Sequence, residues 1–211
     1  MKTDRLIDLL SCDPVAPRPV APRLLALAAP VLLVSGGIAI WMLGVRADLA
    51  QALSHRVTAM KWLLPLAVAV PSLIAVLRMI RPQVQRVPAV RIVAATGCVA
   101  LIWLILSAIT LAPDRLWPVL RGNSALICLS SVIGIAAPVL AAALMVLQEG
   151  ASLHPARSGG LAGLATGGFA AAIYALHCNQ DQPLFFLTWY SLGILTVGGI
   201  GALAGRRMLR W

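Results

Sequence analysis

Six long apolar runs, none of which contains an Asp, Glu, Lys or Arg, constrain the fold of this chain more than any other feature. They cover residues 24–45, 62–77, 92–112, 124–147, 159–177 and 184–204. A helix needs about 20 predominantly apolar residues to cross the hydrocarbon core of a bilayer. Hydrophobic residues make up 60% of the chain and charged residues 11%, which excludes an ordinary soluble domain. The sequence therefore predicts an all-α fold, a polytopic membrane helical bundle with six transmembrane helices.

The second run is the shortest and contains Pro65 and Pro71. We expect its helix to begin earlier, near Val57, with the amine of Lys61 reaching out to the membrane surface. Without this span, the orientation indicated by the arginines before the third run would conflict with the orientation indicated by those after it.

The distribution of basic residues predicts the orientation. Of the 17 Lys and Arg residues, twelve fall on the side that carries both termini, and the other five are Arg46, Arg56, Lys61, Arg115 and Arg121. Because cytoplasmic loops of membrane proteins are enriched in Lys and Arg, both termini are predicted to be cytoplasmic. The net charge of +10 then reflects membrane topology, and no direct contact with nucleic acid is expected. A cleaved signal peptide is disfavoured because no small-residue cleavage site follows the first run.

The chain divides into a cytoplasmic N-terminal segment, residues 1–23, and a six-helix transmembrane domain, residues 24–211. In the first segment Leu6, Leu9 and Leu10 share one face of a short helix, which Thr3 can cap and Pro14 ends. Two interpretations are open. The helix lies on the inner leaflet, or its apolar face docks into a groove of a partner protein.

Small residues recur every fourth position in the last two runs. The fifth run carries Gly159, Gly163 and Gly167, the sixth carries Gly201, and Gly205 directly follows the sixth. Faces of this kind allow two helices in a membrane to approach closely. The spacing predicts a tightly packed antiparallel pair.

Four cysteines divide two and two across the predicted membrane. Cys128 and Cys178 fall near the outer side, whereas Cys12 and Cys98 fall on or toward the inner side. The outer pair faces an oxidising compartment if the protein lies in a bacterial inner membrane. His177, when protonated, would favour the thiolate of Cys178 and is a candidate modulator of this thiol.

A structural metal site and a bound cofactor are not expected. Closed zinc sites use four ligands, usually in closely spaced pairs, and the outer side offers only scattered candidates. Transient capture of a soft metal by Cys128 and Cys178 is the remaining possibility for metal chemistry.

The stretch that follows Cys178 is rich in aromatic rings. Phe185, Phe186, Trp189 and Tyr190 are expected to anchor the last span at the outer membrane boundary. Asp181 suits the turn that precedes them.

Transport and thiol-disulfide oxidoreduction are the rival functions. A transporter normally places ionisable residues within its spans, and the six runs contain none except His177 at an edge. A membrane thiol-disulfide oxidoreductase fits the outer cysteines better, but it generally needs a C-x-x-C motif or a second cysteine pair, and neither is present. Oxidation of a partner dithiol by the purified protein and a quinone would identify such an enzyme.

Three segments carry a family resemblance: "MKTDRLIDLL", "GGLAGLATGGFAAAIYALHCNQDQPLFFLTWYSLGI" and "GRRMLRW". They resemble the NrsF family of bacterial membrane proteins, and the resemblance extends over essentially the whole chain. It implies a six-span anti-sigma factor, not an enzyme, that holds an extracytoplasmic-function sigma factor at the inner membrane. The family pattern also has two outer cysteines, which correspond here to Cys128 and Cys178.

From the resemblance and the residues together we expect a membrane-bound anti-sigma factor that releases its sigma factor under oxidant or heavy-metal stress. Cys128 and Cys178 are the expected redox-sensing pair. The expected docking residues are Leu6, Ile7, Leu9 and Leu10.

Overall fold

The computed structural model describes residue 3 and residues 20–79, 88–150 and 152–209. Within these residues all regular secondary structure is helical, so the predicted all-α class is confirmed for this part of the chain. The helices are α1 (Val20–Leu43), α2 (Leu49–Ser54), α3 (Arg56–Met79), α4 (Pro88–Ile109), α5 (Pro113–Arg121), α6 (Ala125–Leu147), α7 (Pro155–Tyr174) and α8 (Pro183–Met208).

Five of these helices are long and apolar enough to cross a membrane. They are α1, α3, α4, α6 and α8. Helix α7 has 20 residues and thus sufficient length, but its many glycine, alanine, serine and threonine residues make it less apolar. The six-span prediction therefore stays a prediction with respect to α7.

Helix α7 lies at the centre of the bundle. It packs against α8, α3, α6 and α1, and most of its residues are buried. A helix surrounded by protein contacts little lipid, so it does not need a strongly apolar surface. This position explains why so many small residues can be accommodated in α7.

The contact between α7 and α8 is made largely by backbone. A Cβ atom on Gly159 would collide with the backbone of Gly201 and Gly205, and a Cβ atom on Gly167 would press against Ile194. Successive residues along α7 contact positions progressively closer to the start of α8, so the two helices are antiparallel. Their close approach is possible because glycine has no side chain.

Similar close contacts attach the other helices to α7. A Cβ atom on Gly168 would meet the carbonyl oxygen of Pro65 on α3 at 2.7 Å, and one on Gly36 of α1 would meet the side chain of Ile173 at 2.9 Å. Helix α4 is peripheral, because it packs mainly on α3 and α8 and most of its side chains are exposed on the bundle surface.

The start of α1 and the end of α8 lie on the same face of the bundle. Near the start of α1 the side chain of Arg23 pairs with Glu149, which follows α6. Near the end of α8, Gly205 lies against the backbone of Pro155 at the start of α7. The opposite face carries the end of α1, the start of α3 and the connection from α7 to α8, where the candidate site lies.

The glycine contact predicts a position-specific effect of an added methyl group. Gly201→Ala should lower the free energy of unfolding by about 1–3 kcal/mol, because its Cβ would overlap the carbonyl oxygen of Gly159 in a tightly packed contact. Unfolding of the purified protein in mixed micelles with increasing denaturing detergent measures this change.

Gly199→Ala is the matched control, since it lies on the same helix and a Cβ atom there meets nothing within 4 Å. Equal destabilisation by the two substitutions would contradict a specific backbone contact at Gly201.

Candidate functional site

Two cysteine thiols lie buried at the end of the bundle that carries the end of α1 and the start of α3. Cys128 is on the first turn of α6, and its backbone N–H donates to the Ser124 carbonyl at 2.8 Å. Cys178 follows the end of α7, and its N–H donates to the Tyr174 carbonyl at 3.1 Å. The exposed fraction is 0% for Cys128 and 2% for Cys178, and both belong to one contiguous apolar cluster as free thiols.

Aromatic side chains of α7 and α8 belong to the same buried cluster as the two thiols. The ring of Tyr174 lies 6.1 Å from that of Tyr190, and the ring of Phe186 lies 6.3 Å from that of Tyr190, measured between centroids. The hydroxyl groups of Tyr174 and Tyr190 are buried without a hydrogen-bond partner among the described residues. The buried cluster that contains the two thiols thus also contains two hydroxyl groups without a partner among the described residues.

The expectation that the aromatic stretch anchors at the membrane boundary is wrong for three of its four rings. Phe185, Phe186 and Tyr190 are buried inside the bundle. Trp189 is half-buried and donates its indole N–H to the carbonyl of Leu120 in α5 at 2.8 Å. The rings point inward because they meet other helices: the ring of Phe186 packs on Trp103 of α4 at 5.8 Å between centroids, and that of Tyr190 on Tyr174 of α7. Hydropathy does not reveal this choice of helix face.

Four charged side chains form a cluster beside Cys178, and they consist of two cations and two anions. The guanidinium of Arg46 donates to both Asp48 and Asp181, in each case at 2.8 Å. The ammonium of Lys61 donates to the same Asp181 carboxylate at 3.0 Å. Asp181 therefore joins the two cations, and the charges balance within the cluster.

Both cations also donate to the backbone carbonyl of Cys178. The distance to this oxygen is 2.7 Å from Lys61 Nζ and 3.1 Å from Arg46 Nη1. The backbone N–H of Arg46 donates to the carbonyl of Leu176 at 2.9 Å. The segment that carries Cys178 is consequently held by side chains from the loop after α1 and from α3.

Lys61 does not reach the membrane surface, so the snorkelling expectation is wrong. Its residue is 0% exposed, and its ammonium is held by Asp181 and the Cys178 carbonyl. Helix α3 begins at Arg56, as expected from an early start near Val57. Lys61 is therefore an ionisable residue inside a helix long enough to span, and a buried ion pair compensates its charge.

The cluster favours the charged form of the acids that belong to it. Burial opposes ionisation of Asp181, but the hydrogen bonds from Arg46 and Lys61 outweigh it and lower the pKa of Asp181 below its usual value. The hydrogen bond from Arg46 lowers the pKa of the more exposed Asp48 to about 2. Hydrogen bonds to Asp181 and Asp48 raise the pKa of Arg46. All three groups are charged at neutral pH.

His177 lies next to Cys178 in sequence, but its ring contacts other groups. Its Nδ1–H donates to the carbonyl of Gly44 at 3.0 Å, and its ring lies 5.8 Å from that of Tyr174. The residue helps to attach the end of α1 to the connection after α7. A role as a modulator of the Cys178 thiol stays a prediction.

The remaining sequence-predicted residues lie elsewhere. Cys98 is exposed on α4, and Leu6, Ile7, Leu9, Leu10 and Cys12 fall outside the described residues. Within the described part of the chain, no three His, Cys, Asp or Glu side chains come together in a way that could hold a metal ion.

Arg46, Lys61 and Asp181 were not identified as a site from the sequence. The available signal was three isolated charges, each next to the outer end of an apolar run. Such charges are usually solvated at the membrane surface, and only the packing of α3 against α7 shows that these meet.

Comparison with known proteins places these features in a family context. The family model described as "NrsF: Negative regulator of sigma F" matches residues 11–211. The chain is similar to the anti-sigma-F factor NrsF of Caulobacter vibrioides, with 34% identity over 219 aligned positions that cover 100% of both chains. It is similar to the probable anti-sigma-F factor NrsF of Azospira oryzae, with 33% identity over 224 positions and the same complete coverage. No solved structure matches the chain significantly.

Proposed function

We propose, on the premise that this chain belongs to the NrsF family of negative regulators of sigma F, that it is a membrane-bound anti-sigma factor for an extracytoplasmic-function sigma factor. The observation that carries this proposal is the match of the family model to residues 11–211, together with full-length similarity to two anti-sigma-F factors. Binding at the membrane would keep the sigma factor away from RNA polymerase until a signal releases it.

The proposed topology has six spans and both termini in the cytoplasm of a bacterium, across its inner membrane. The start of α1 and the end of α8 lie on one face of the bundle, which supports an even number of crossings. The enclosure of α7 by α1, α3, α6 and α8 supports its crossing the bilayer despite its modest hydropathy. The excess of Lys and Arg on the side of the termini supports the orientation.

Alkaline phosphatase fusions test this topology, because the enzyme is active only outside the cytoplasm. A fusion after residue 211 should be inactive, and a fusion after residue 179, in the connection between α7 and α8, should be active. Phosphatase activity from the fusion after residue 211 would contradict a cytoplasmic C-terminus.

The proposed docking element is the N-terminal segment, residues 1–23. Its apolar face consists of Leu6, Ile7, Leu9 and Leu10, and an amphipathic helix of this kind suits a groove on a partner protein. On the face that carries the end of α8, the described part of the connection from α6 to α7 is short and holds no comparable amphipathic helix.

Loss of sigma-factor capture tests the docking segment. Replacement of Leu6, Ile7, Leu9 and Leu10 by serine should reduce co-purification of the sigma factor by about tenfold or more, because apolar anchors supply most of the binding energy in such grooves. Asp8→Ser, which changes the opposite face, is the control. Undiminished capture after deletion of residues 2–12 would contradict this proposal.

The proposed signal is a change at Cys128 and Cys178. Burial of both thiols in one apolar cluster supports a coupling between them and the packing of α6, α7 and α8. To change a two-state equilibrium from 1:99 to 99:1 requires about 5.5 kcal/mol of difference between the states. Oxidation of the pair, or transient capture of a soft metal, is the proposed source of that difference.

Serine substitution tests the sensing role. Cells that carry Cys128→Ser and Cys178→Ser together should no longer induce the sigma regulon under oxidant or heavy metal, since neither thiol can then react. Transcript levels of the regulon measure the response, and Cys98→Ser, at an exposed thiol outside the buried cluster, is the matched control. Normal induction in the double variant would exclude the two cysteines as sensors.

A further inference from the structure

Two thiols that face an oxidising compartment need protection if they are to react only under stress. The exposed fractions of Cys128 and Cys178 are 0% and 2%, although Cys178 lies in a connection between helices. Connections of this kind are usually the most accessible part of a membrane protein. Something specific must hold this one closed over the thiols.

We propose that Arg46, Lys61 and Asp181 form a latch that keeps the thiols of Cys128 and Cys178 inaccessible to water-soluble reagents. The three residues are positioning residues, because they act on Cys178 through its backbone carbonyl. The importance of the latch for signalling rests on the proposed function, whereas its geometry does not.

The latch joins three separate segments of the chain. Arg46 lies between α1 and α2, Lys61 lies on α3, and Asp181 lies between α7 and α8. The backbone N–H of Arg46 binds the Leu176 carbonyl, and both cations bind the Cys178 carbonyl. Three anchoring points within six residues prevent the segment from Leu176 to Asp181 from moving as an ordinary loop.

Asp181 is the residue on which the latch depends. Its two carboxylate oxygens accept hydrogen bonds from both cations, so loss of its charge removes the anion that Arg46 and Lys61 share and leaves Arg46 paired with Asp48 alone. Lys61 is completely buried, and among the described residues Asp181 is its one anionic partner. Without that partner the ammonium is an uncompensated buried charge, which favours an open arrangement where water reaches it.

Asp48 supplies a matched control within the same cluster. It accepts two hydrogen bonds from Arg46, as Asp181 does, but its side chain is 52% exposed and contacts neither Lys61 nor the Cys178 carbonyl. Its removal leaves the pairing of both cations with Asp181 in place. The latch therefore predicts different effects for substitutions at two aspartates that bind the same arginine.

The rate of thiol modification tests this proposal. The full-length protein carries Cys12→Ser and Cys98→Ser, so that only the two thiols of interest react, and is purified in lipid nanodiscs. A water-soluble maleimide is added, and intact mass spectrometry follows the number of modified cysteines with time. Asp181→Asn and Lys61→Met should each accelerate modification by about tenfold or more, because labelling of a buried group follows the population of locally open molecules.

Asp48→Asn should label at the unsubstituted rate. Equal rates in all four proteins, or an acceleration by Asp48→Asn as large as that by Asp181→Asn, would overturn the latch. Lys61→Met decides the question if Asp181→Asn does not fold, because it leaves Asp181 paired with Arg46 and leaves no cation unpaired. Every rate is measured well below the unfolding midpoint of the same preparation.

The labelling assay contains no sigma factor, so it separates the latch from the proposed function. Faster labelling together with an inducible regulon in the Cys128→Ser, Cys178→Ser double variant supports the latch while it overturns sensing by the thiols. Unchanged labelling overturns the latch whatever the regulon does.

Discussion

The backbone contact between α7 and α8 determines where the other long helices can lie. Glycine residues allow the two backbones to meet without intervening side chains, as at Gly159 and Gly201. With α8 this close, α7 occupies the centre of the bundle, where α1, α3 and α6 complete its surroundings. The same contact fixes the short connection after α7, which carries Cys178 and Asp181. Packing of small residues thus positions the candidate site.

The ion-pair cluster complements this packing by a different kind of force. Charges are costly to bury, and Lys61 is tolerated at 0% exposure because Asp181 and the Cys178 carbonyl compensate its ammonium. Apolar contacts are non-directional and could form in several arrangements, whereas these hydrogen bonds specify which segments meet. The proposed latch depends on such directional contacts, since loss of the Asp181 carboxylate weakens several of them together.

Much of the fold could be predicted because hydropathy and helix length are local properties. The early start of α3 was predicted, and the all-α class holds throughout the described residues. The candidate site was predictable only in part. The sequence indicated Cys128 and Cys178 but placed Phe186, Tyr190 and Lys61 at the membrane surface, whereas all three are buried. Hydropathy shows that a segment is apolar, but it does not distinguish a face that meets lipid from one that meets another helix.

By itself the sequence determined the helical class, the apolar runs and the small residues that let two helices approach, because each depends on residues close together in the chain. Only the tertiary structure decided which charges are paired. Arg46 and Asp181 are separated by 135 positions, and Lys61 and the Cys178 carbonyl by 117. Each charge taken alone resembles an ordinary solvated residue at the end of a span. They form one cluster because α1, α3 and the connection after α7 converge at the same end of the bundle, and the partners of a buried charge are set by that convergence.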